Sequence, residues 1–325
     1  MHRTSPLRHL AYTLLLLLFT AAGFAQQVYK KQTVLMGSVF EFTLVEDDPA
    51  MAQEHFQAVI GEMDRIENLI SEWRPHTQVS EVNRNAGIRP VKVDREVFDL
   101  TRRALRYSGF SKGAFDISIA AMDRIWRFDG SMTEMPAGEA IRSSVERVGY
   151  QFIVLDSAAC TIYLSRAGMK IGFGSIGKGY AADKGRELLQ ALGVQGGIVN
   201  ASGDLSAWGT APGGKAWKIG LYNPFKPQKI LKVLKLNTAS VATSGSYEKY
   251  AEINGRRYSH IINPKTGYPS TGLTSVTVTG PAAELANALS TSVMVMGTKE
   301  GTRLLSQFPE YRYILITDRG KVIKK

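Results

Sequence analysis

The chain has 325 residues, of which 44% are hydrophobic and 21% are charged, and its formal net charge is +11. This is the composition of an ordinary globular protein, and neither a repeat nor a low-complexity tract interrupts it. The basic residues form no long run and are not interleaved with aromatic residues, so a nucleic-acid-binding protein is not expected.

The first 25 residues are predicted to be a secretory signal peptide. A basic start precedes an apolar run from about Leu14 to Phe24, which ends among the small residues Gly23 and Ala25. The run is too short for a comfortable membrane span, and no cysteine follows it to carry a lipid anchor. Cleavage near Ala25 predicts an exported, periplasmic protein, and residues 26–325 are expected to form a single domain.

The first part of the mature chain is predicted to alternate strands and helices. Val34 to Val45 indicates a strand with Met36-Gly37 at its start. Asp48-Pro49 supplies an N-cap and an N1 proline for a helix whose apolar stripe extends to Trp73. The next predicted elements are a polar loop over 74–90, a helix capped by Asp94, a short strand carrying Asp116, a helix over 137–148 and a strand pair over 152–164.

A glycine-rich segment, Lys170 to Asp183, leads into a helix that is predicted to end at Gly193. Glycines before a helix N-terminus let backbone N–H groups and the helix dipole approach a phosphate. Part of this segment matches the dinucleotide fingerprint and part matches a P-loop. The P-loop is rejected because Gly179 stands where a magnesium-binding Ser or Thr is needed. A glycine-rich turn without a ligand remains the alternative.

After Trp208 the pattern is almost entirely β until Pro281, which opens a helix that ends at Gly297. Asn287 and Thr291 are spaced i and i+4, so they share one face of that helix. Polar groups on an otherwise apolar helix need partners when they are buried. We therefore expect them to serve either as hydrogen-bonding groups between helices or as oxygen ligands.

A hairpin in the second half presents a histidine. Asn254-Gly255 predicts a type I′ turn, because both central residues of that turn need positive φ. The second run of the hairpin, Arg256 to Ile262, carries His260 near its end and stops before Pro264. Local pattern alone leaves two roles for His260, capping of a neighbouring turn or a reactive group that the scaffold holds still.

Taken together, these segments resemble the FAD:protein FMN transferases, the ApbE-type flavin transferases. The segments occur in the family's order and cover nearly the whole mature chain. They are Met36-Gly37, Ser71-Glu72-Trp73 to Asn83, Gly113-Ala114-Phe115-Asp116, Gly177-Lys178-Gly179-Tyr180-Ala181-Ala182-Asp183, Asn200 to Asp204, Ser244-Gly245-Ser246-Tyr247-Glu248, Ser259-His260-Ile261-Ile262 with Pro264 and Thr266-Gly267, and Ala288-Leu289-Ser290-Thr291.

The resemblance implies an α+β, two-lobed, T-fold-like structure with mixed or antiparallel sheets, flanking helices and a flavin cleft. It also implies Mg²⁺-dependent transfer of FMN from FAD to a threonine hydroxyl of an exported or membrane redox protein, with release of AMP. His260 would be the catalytic base, and Ser175, Asn287 and Thr291 would hold the metal. The residues expected to contact FAD are Met36, Trp73, Ala114, Phe115, Asp116, Lys178 and Ile262.

Two departures from the family pattern bear on the metal site. Asn287 and Gly172 stand where the family is expected to have aspartates. Magnesium prefers charged oxygen ligands, so the FAD phosphates or one of Asp183, Asp204 and Glu284 would have to compensate. The alternative is a periplasmic FAD-binding or FAD-hydrolysing protein without transfer activity. An NAD-type dehydrogenase is a third hypothesis, which requires a parallel βαβ core.

Overall fold

The computed structural model describes residues 26–247 and 249–325. The predicted signal peptide and Glu248 lie outside the described residues, so cleavage near Ala25 stays a prediction. Within the described part of the chain, no helix is long and apolar enough to cross a membrane.

Helices and strands follow one another in a mixed order along the chain. The α-helices, α1 to α6, are Pro49–Ile70, Gln78–Arg84, Arg95–Phe110, Gly138–Ser144, Gly177–Ala191 and Ala283–Leu305. The strands, β1 to β15, are Gln27–Leu35, Ser38–Glu46, Val91–Lys92, Ile153–Asp156, Thr161–Leu164, Gly196–Ala201, Asp204–Trp208, Trp217–Asn223, Lys226–Leu236, Ala239–Gly245, Tyr250–Ile253, Arg256–Ser259, Leu273–Gly280, Arg312–Thr317 and Val322–Lys324.

The main sheet has eight strands in the order β1-β2-β6-β7-β10-β13-β14-β15, and every neighbouring pair is antiparallel. The predicted α+β class with antiparallel sheets is therefore confirmed. A dinucleotide-binding unit needs parallel strands joined by crossover helices. The dehydrogenase hypothesis is wrong for this reason, and the match at Gly172 is a coincidence of glycine spacing.

The two faces of this sheet are covered differently. Alternate residues of β2, Phe40 and Phe42, are fully buried in the same apolar cluster as Val59 and Met63 of α1. Val45 of β2 instead joins a cluster that the β8–β9 hairpin closes. The alternation of side chains along a strand thus gives the sheet a helical layer on one face and a hairpin on the other.

A smaller apolar cluster lies beside the main sheet. It joins Trp126 and Ile141 to Ala251 and Ile253 of β11. The β11–β12 hairpin pairs only with itself among the described strands. This cluster and the main sheet supply opposite walls of the cleft described below.

The β1–β2 turn corrects one sequence-based prediction. Met36 and Gly37 have φ values of 49° and 67°, and they form a two-residue turn between antiparallel strands. The prediction that Val34 to Val45 forms one strand was therefore wrong. Such a turn is usually marked in a sequence by Asn-Gly. Methionine rarely adopts positive φ, so Met36-Gly37 does not give this signal.

Two other local predictions also fail. The segment 74–90 contains α2, which Thr77 caps by accepting a hydrogen bond from the Ser80 N–H at 3.1 Å. A helix this short gives little periodic signal. The strand expected at Asp116 is a 3₁₀ turn over Ile117–Ala121, and the Asp116 side chain accepts the Ser118 N–H at 2.8 Å. Both polar caps compete with extended structure for the backbone.

We predict that Asp183 is a major source of stability. Its buried carboxylate accepts the Ala283 and Glu284 N–H groups, each at 2.9 Å, at the start of α6. Asp183→Ala is expected to lower the free energy of unfolding by about 2–4 kcal/mol, since buried donors lose their acceptor. Asp48→Ala, which removes an exposed cap of α1, is expected to cost about 1 kcal/mol. Urea denaturation of both variants tests this, and equal costs would contradict it.

Candidate active site

A cleft of about 1200 Å³ lies between the main sheet and the smaller cluster. It is walled by the turn after α1, the 3₁₀ turn, the glycine-rich segment, the end of β10, the segment after β12 and one face of α6. Every sequence-predicted site residue except Met36 lines it, namely Trp73, Ala114, Phe115, Asp116, Ser175, Lys178, His260, Ile262, Asn287 and Thr291. Met36 instead donates its N–H to Glu67 at 3.2 Å, and its side chain lies next to Gly177 at the start of α5.

The glycine-rich segment places the start of α5 at the cleft. Gly174, Ser175 and Lys178 line the cleft, and α5 begins at Gly177. Unsatisfied N–H groups and the helix dipole make such an end electropositive, and Lys178 adds a full charge. This end of the cleft is therefore suited to phosphate oxygens, as the sequence predicts.

His260 also lines the cleft, directly after β12. Its backbone N–H donates to the Lys249 carbonyl at 3.2 Å, and its ring Nδ1 lies 3.1 Å from the same oxygen. A carbonyl oxygen can only accept, so Nδ1 carries the proton in this hydrogen bond. The other ring nitrogen, Nε2, is then left unprotonated in the neutral ring and can accept a proton.

The surroundings of His260 favour the neutral ring. Burial lowers the pKa of His260, and the nearby charges of Lys249 and Lys178 lower it further, while the hydrogen bond to the Lys249 carbonyl acts in the opposite direction. The Phe128 ring approaches the imidazole edge-on, at 6.4 Å between centroids. A neutral imidazole with a bare Nε2 is the form that a general base requires at neutral pH.

The α6 side of the cleft presents neutral oxygens. The Ser244 hydroxyl on β10 lies 2.8 Å from the Ser290 hydroxyl and 3.3 Å from that of Thr291. Asn287 is 8% exposed, and within the described residues its side chain makes no hydrogen bond. An amide oxygen without a partner at a cleft wall is chemically suited to a hard cation. Among the described residues, the hydrogen bond from this face joins Thr291 to a strand, and neither Asn287 nor Thr291 makes a side-chain hydrogen bond to another helix.

The carboxylates that could compensate for the missing aspartates differ in position. Asp183 is engaged at the N-terminus of α6, and Glu284 accepts hydrogen bonds from Arg103 and Tyr107, at 2.8 Å each. Neither lines the cleft, whereas Asp204 does. In the described part of the chain, no group of three or more His, Cys, Asp and Glu side chains could hold a metal. Of the three candidates, only Asp204 is placed to add negative charge.

Three other residues predicted to contact FAD differ in their surroundings. Phe115 is 1% exposed and packs edge-on against Tyr107, at 6.0 Å between ring centroids. The Asp116 carboxylate accepts from the N–H groups of Ser118 and Tyr150, at 2.8 Å each, and burial raises its pKa. Trp73 differs from both because it is 70% exposed. Its ring is therefore the aromatic surface that is open to a ligand.

Comparison with known proteins agrees with this geometry. The model of the ApbE family matches residues 36–315. The chain belongs to the ApbE family.

Relatives within the ApbE family cover most of the chain. An FAD:protein FMN transferase of Klebsiella pneumoniae (strain 342) is 33% identical over 299 residues, which are 91% of this chain and 92% of the relative. One from Treponema pallidum (strain Nichols) is 30% identical over 298 residues, covering 86% and 82% of the two chains. The predicted resemblance to this family is confirmed.

Solved ApbE structures confirm the fold. The ApbE protein of Thermotoga maritima superposes with a TM-score of 0.84 at 28% identity, covering 92% of this chain and 97% of that one. The apo flavinyl transferase ApbE of Pseudomonas stutzeri gives a TM-score of 0.80 at 29% identity, with 93% and 95% covered.

Sequence reasoning missed several residues of the cleft. Glu72 and Arg124 line it beside Trp73, and Phe128 lies against His260. Glu72 is part of the Ser71-Glu72-Trp73 segment that resembles the ApbE family, and this was a usable signal. Arg124 and Phe128 follow the 3₁₀ turn in a segment without regular periodicity, and no sequence signal marks them.

We predict that His260 is neutral at pH 7 with its proton on Nδ1. Burial and neighbouring lysines lower the pKa of His260, so protonation of the ring needs a pH below the ordinary histidine range. NMR of ¹⁵N-labelled imidazole across pH 4–8 should give an Nδ1–H tautomer and a depressed midpoint, with His260→Gln used to assign the signal. A raised midpoint, or a proton on Nε2 at neutral pH, would contradict the tautomer assigned from the Lys249 contact.

Proposed function

We propose that this protein is an FAD:protein FMN transferase, which moves FMN from FAD to a threonine hydroxyl of an acceptor redox protein and releases AMP. One observation carries the proposal. In a chain of the ApbE family, a single cleft brings the start of α5 and Lys178 together with a histidine whose Nε2 is a free proton acceptor. A pyrophosphate-binding end and a base are what attack on a phosphorus atom requires.

Charge and shape support one placement of FAD. The pyrophosphate belongs beside Lys178 and the N-terminus of α5, because that wall combines a lysine with oriented N–H groups. The exposed Trp73 ring offers a stacking surface for a planar ring of the nucleotide. Ala114, Phe115, Asp116 and Ile262 line the same cleft, and the Met36 side chain lies next to Gly177 at the start of α5.

The proton and electron balance of the transfer is simple. The threonine oxygen forms a bond to the phosphorus of the FMN half, and the bond from that phosphorus to the bridging oxygen breaks. The electron pair of the broken bond leaves with AMP. Nε2 of His260 takes the hydroxyl proton, while the Lys249 carbonyl holds Nδ1–H and stabilises the imidazolium that forms.

The donor set on α6 and on the glycine-rich segment fits Mg²⁺ in part. Ser175, Asn287 and Thr291 offer neutral oxygens, and Asp204 lines the same cleft with a carboxylate. Bound there, Mg²⁺ would neutralise pyrophosphate charge and act as a Lewis acid. Within the part of the chain that the structure describes, Ser244 hydrogen-bonds to Thr291, and the Asn287 side chain has no hydrogen-bond partner.

The lack of a carboxylate at position 287 favours a second candidate function. A protein with weakened metal binding would bind FAD, or hydrolyse it, without flavinylating a partner. The two candidates differ in whether FMN reaches an acceptor threonine.

The cellular setting follows from the amino-terminal sequence. The basic, apolar and small-residue pattern of residues 1–25 supports export to the periplasm. The acceptor would then be an exported redox protein, or a membrane redox protein with a domain facing the periplasm. The intact mass of the secreted protein tests export, since cleavage near Ala25 gives a mature chain that starts near Gln26.

We predict FMN transfer that depends on His260. The mature protein, FAD, Mg²⁺ and a threonine-bearing acceptor should give an acceptor whose mass increases by one FMN, together with free AMP. His260→Ala should lower the rate by about 10²–10⁴-fold with little change in FAD affinity, because a base acts in the chemical step. His76→Ala is the matched control, since His76 is exposed and lies outside the cleft lining.

Three results would contradict parts of this proposal. AMP release without a gain in acceptor mass would favour the hydrolase. FAD binding without AMP release would favour the binding protein. An undiminished rate in His260→Ala would return His260 to a hairpin-capping role.

We also predict that Asn287→Asp strengthens Mg²⁺ binding. The substitution adds a negative charge at a cleft wall without changing the length of the side chain, and Mg²⁺ prefers carboxylate oxygen. Calorimetric titration with Mg²⁺ in the presence of FAD should show a lower dissociation constant, with transfer retained. Asn263→Asp, on the loop after the hairpin, is the control for a general charge effect. Equal gains in the two variants would remove Asn287 from the metal site.

A further inference from the structure

A glutamate occupies the space that a side chain at position 172 would fill. A Cβ atom built on Gly172 would lie 2.6 Å from Oε1 of Glu72 and 2.8 Å from its carboxyl carbon. Both distances are far below ordinary van der Waals contact, so any residue other than glycine here would displace the carboxylate. Gly172 therefore leaves room for a charged group that arrives from the turn after α1.

The backbone around Glu72 is held in place by its neighbours. Ser71 is the C-cap of α1, and its hydroxyl accepts the Trp73 N–H at 3.2 Å. The Ser80 hydroxyl of α2 donates to the Glu72 carbonyl at 3.3 Å. The short helix that sequence analysis missed thus fixes the turn that presents Glu72 to the cleft.

The Glu72 carboxylate has spare hydrogen-bonding capacity towards the cleft. Burial is the main influence on its pKa and raises it, while a hydrogen bond from its own backbone N–H and the charge of Arg124 act the other way. Within the described residues it takes part in no salt bridge at 4 Å or less. A carboxylate has about four acceptor positions. Among the described residues, most of these positions have no protein partner.

The next residue of the same turn is the exposed Trp73. The Arg124 guanidinium lies over its ring, 4.5 Å from the centroid, which leaves the opposite face of the indole open. An aromatic face next to a hydrogen-bond acceptor matches a planar heterocycle that carries an N–H donor at its edge. The isoalloxazine and adenine rings of FAD both have this chemistry.

Charge excludes the other parts of the nucleotide from Glu72. Pyrophosphate oxygens are repelled by a carboxylate, and Lys178 and the start of α5 attract them to another wall. We propose that Glu72 is a nucleotide-specificity residue, whose carboxylate accepts a hydrogen bond from the edge of the ring that stacks on Trp73. The inference rests on the proposed use of FAD, and it assigns to Gly172 the role of keeping this carboxylate in place.

Binding of nucleotide fragments tests the inference without a transfer assay. The full mature protein is titrated calorimetrically with FMN, AMP and inorganic pyrophosphate. In Glu72→Gln, loss of a charged hydrogen bond should weaken binding of FMN or of AMP about tenfold, and the fragment affected identifies the ring. Pyrophosphate affinity should change less than twofold. FMN and AMP affinities that both stay within twofold of wild type would overturn the inference, as would an equal loss for pyrophosphate.

Gly172→Ala supplies an independent test that leaves Glu72 intact. Its methyl group should displace the carboxylate and reproduce the loss seen with Glu72→Gln. The matched control is Gly61→Ala on α1, where a Cβ atom meets nothing within 4 Å, and it should bind all three fragments as wild type does. Unchanged ring binding in Gly172→Ala would overturn the inference. If the wild-type protein transfers FMN and Glu72→Gln binds the fragments as wild type does, this inference alone is overturned. If the wild-type protein does not bind FAD, the proposed function is overturned as well.

Discussion

The close contact between α5 and α6 is the constraint on which the cleft depends. A Cβ atom at Gly179 would lie 2.6 Å from the Ala283 carbonyl oxygen, so only glycine permits this approach of the two backbones. Asp183, one turn later on α5, accepts both Ala283 N–H and Glu284 N–H at the start of α6. One glycine and one carboxylate thus fix the helix that carries Lys178 relative to the helix that carries Asn287.

The cleft combines walls with different electrostatic character. Lys178 and the start of α5 make one wall attractive to anions, while Glu72 makes another attractive to hydrogen-bond donors. Burial favours the neutral form of His260, and the Lys249 carbonyl orients its ring, directly after a hairpin whose turn residues both have positive φ. Under the proposed function, this arrangement would orient an asymmetric dinucleotide, because its charged centre and its rings would be accepted at different places.

Much of this architecture could be predicted because it depends on short-range chemistry. The Asn254-Gly255 turn has φ values of 52° and 71°, as the dipeptide requires. Asp48 caps α1 as expected, with the Ala50 N–H at 2.9 Å. The helix that opens after Pro281 breaks at Gly297, where the sequence predicts its end; there φ is 73° and ψ is −178°.

What escaped prediction depends on contacts between distant parts of the chain. The Glu72 carboxylate occupies the space beside Gly172. The family pattern alone showed only that an expected aspartate is missing at position 172. Asp183 was a candidate for compensating charge at the metal site, yet its partners lie 100 and 101 residues further along the chain. Met36-Gly37 escaped because its turn is imposed by strand pairing rather than by residue preference. In each case the deciding neighbour is close in space and remote in sequence.

A crystal structure of the mature protein with bound FAD is the most direct test of the central claim that one cleft holds FAD between α5 and His260. The account predicts pyrophosphate density beside Lys178, a ring on the open face of Trp73, and His260 Nε2 facing the phosphorus of the FMN half. FAD in the smaller cavity of about 690 Å³, which residues of α1, α3 and α5 line, would contradict it. Pyrophosphate on the Glu72 wall of the cleft would contradict it equally.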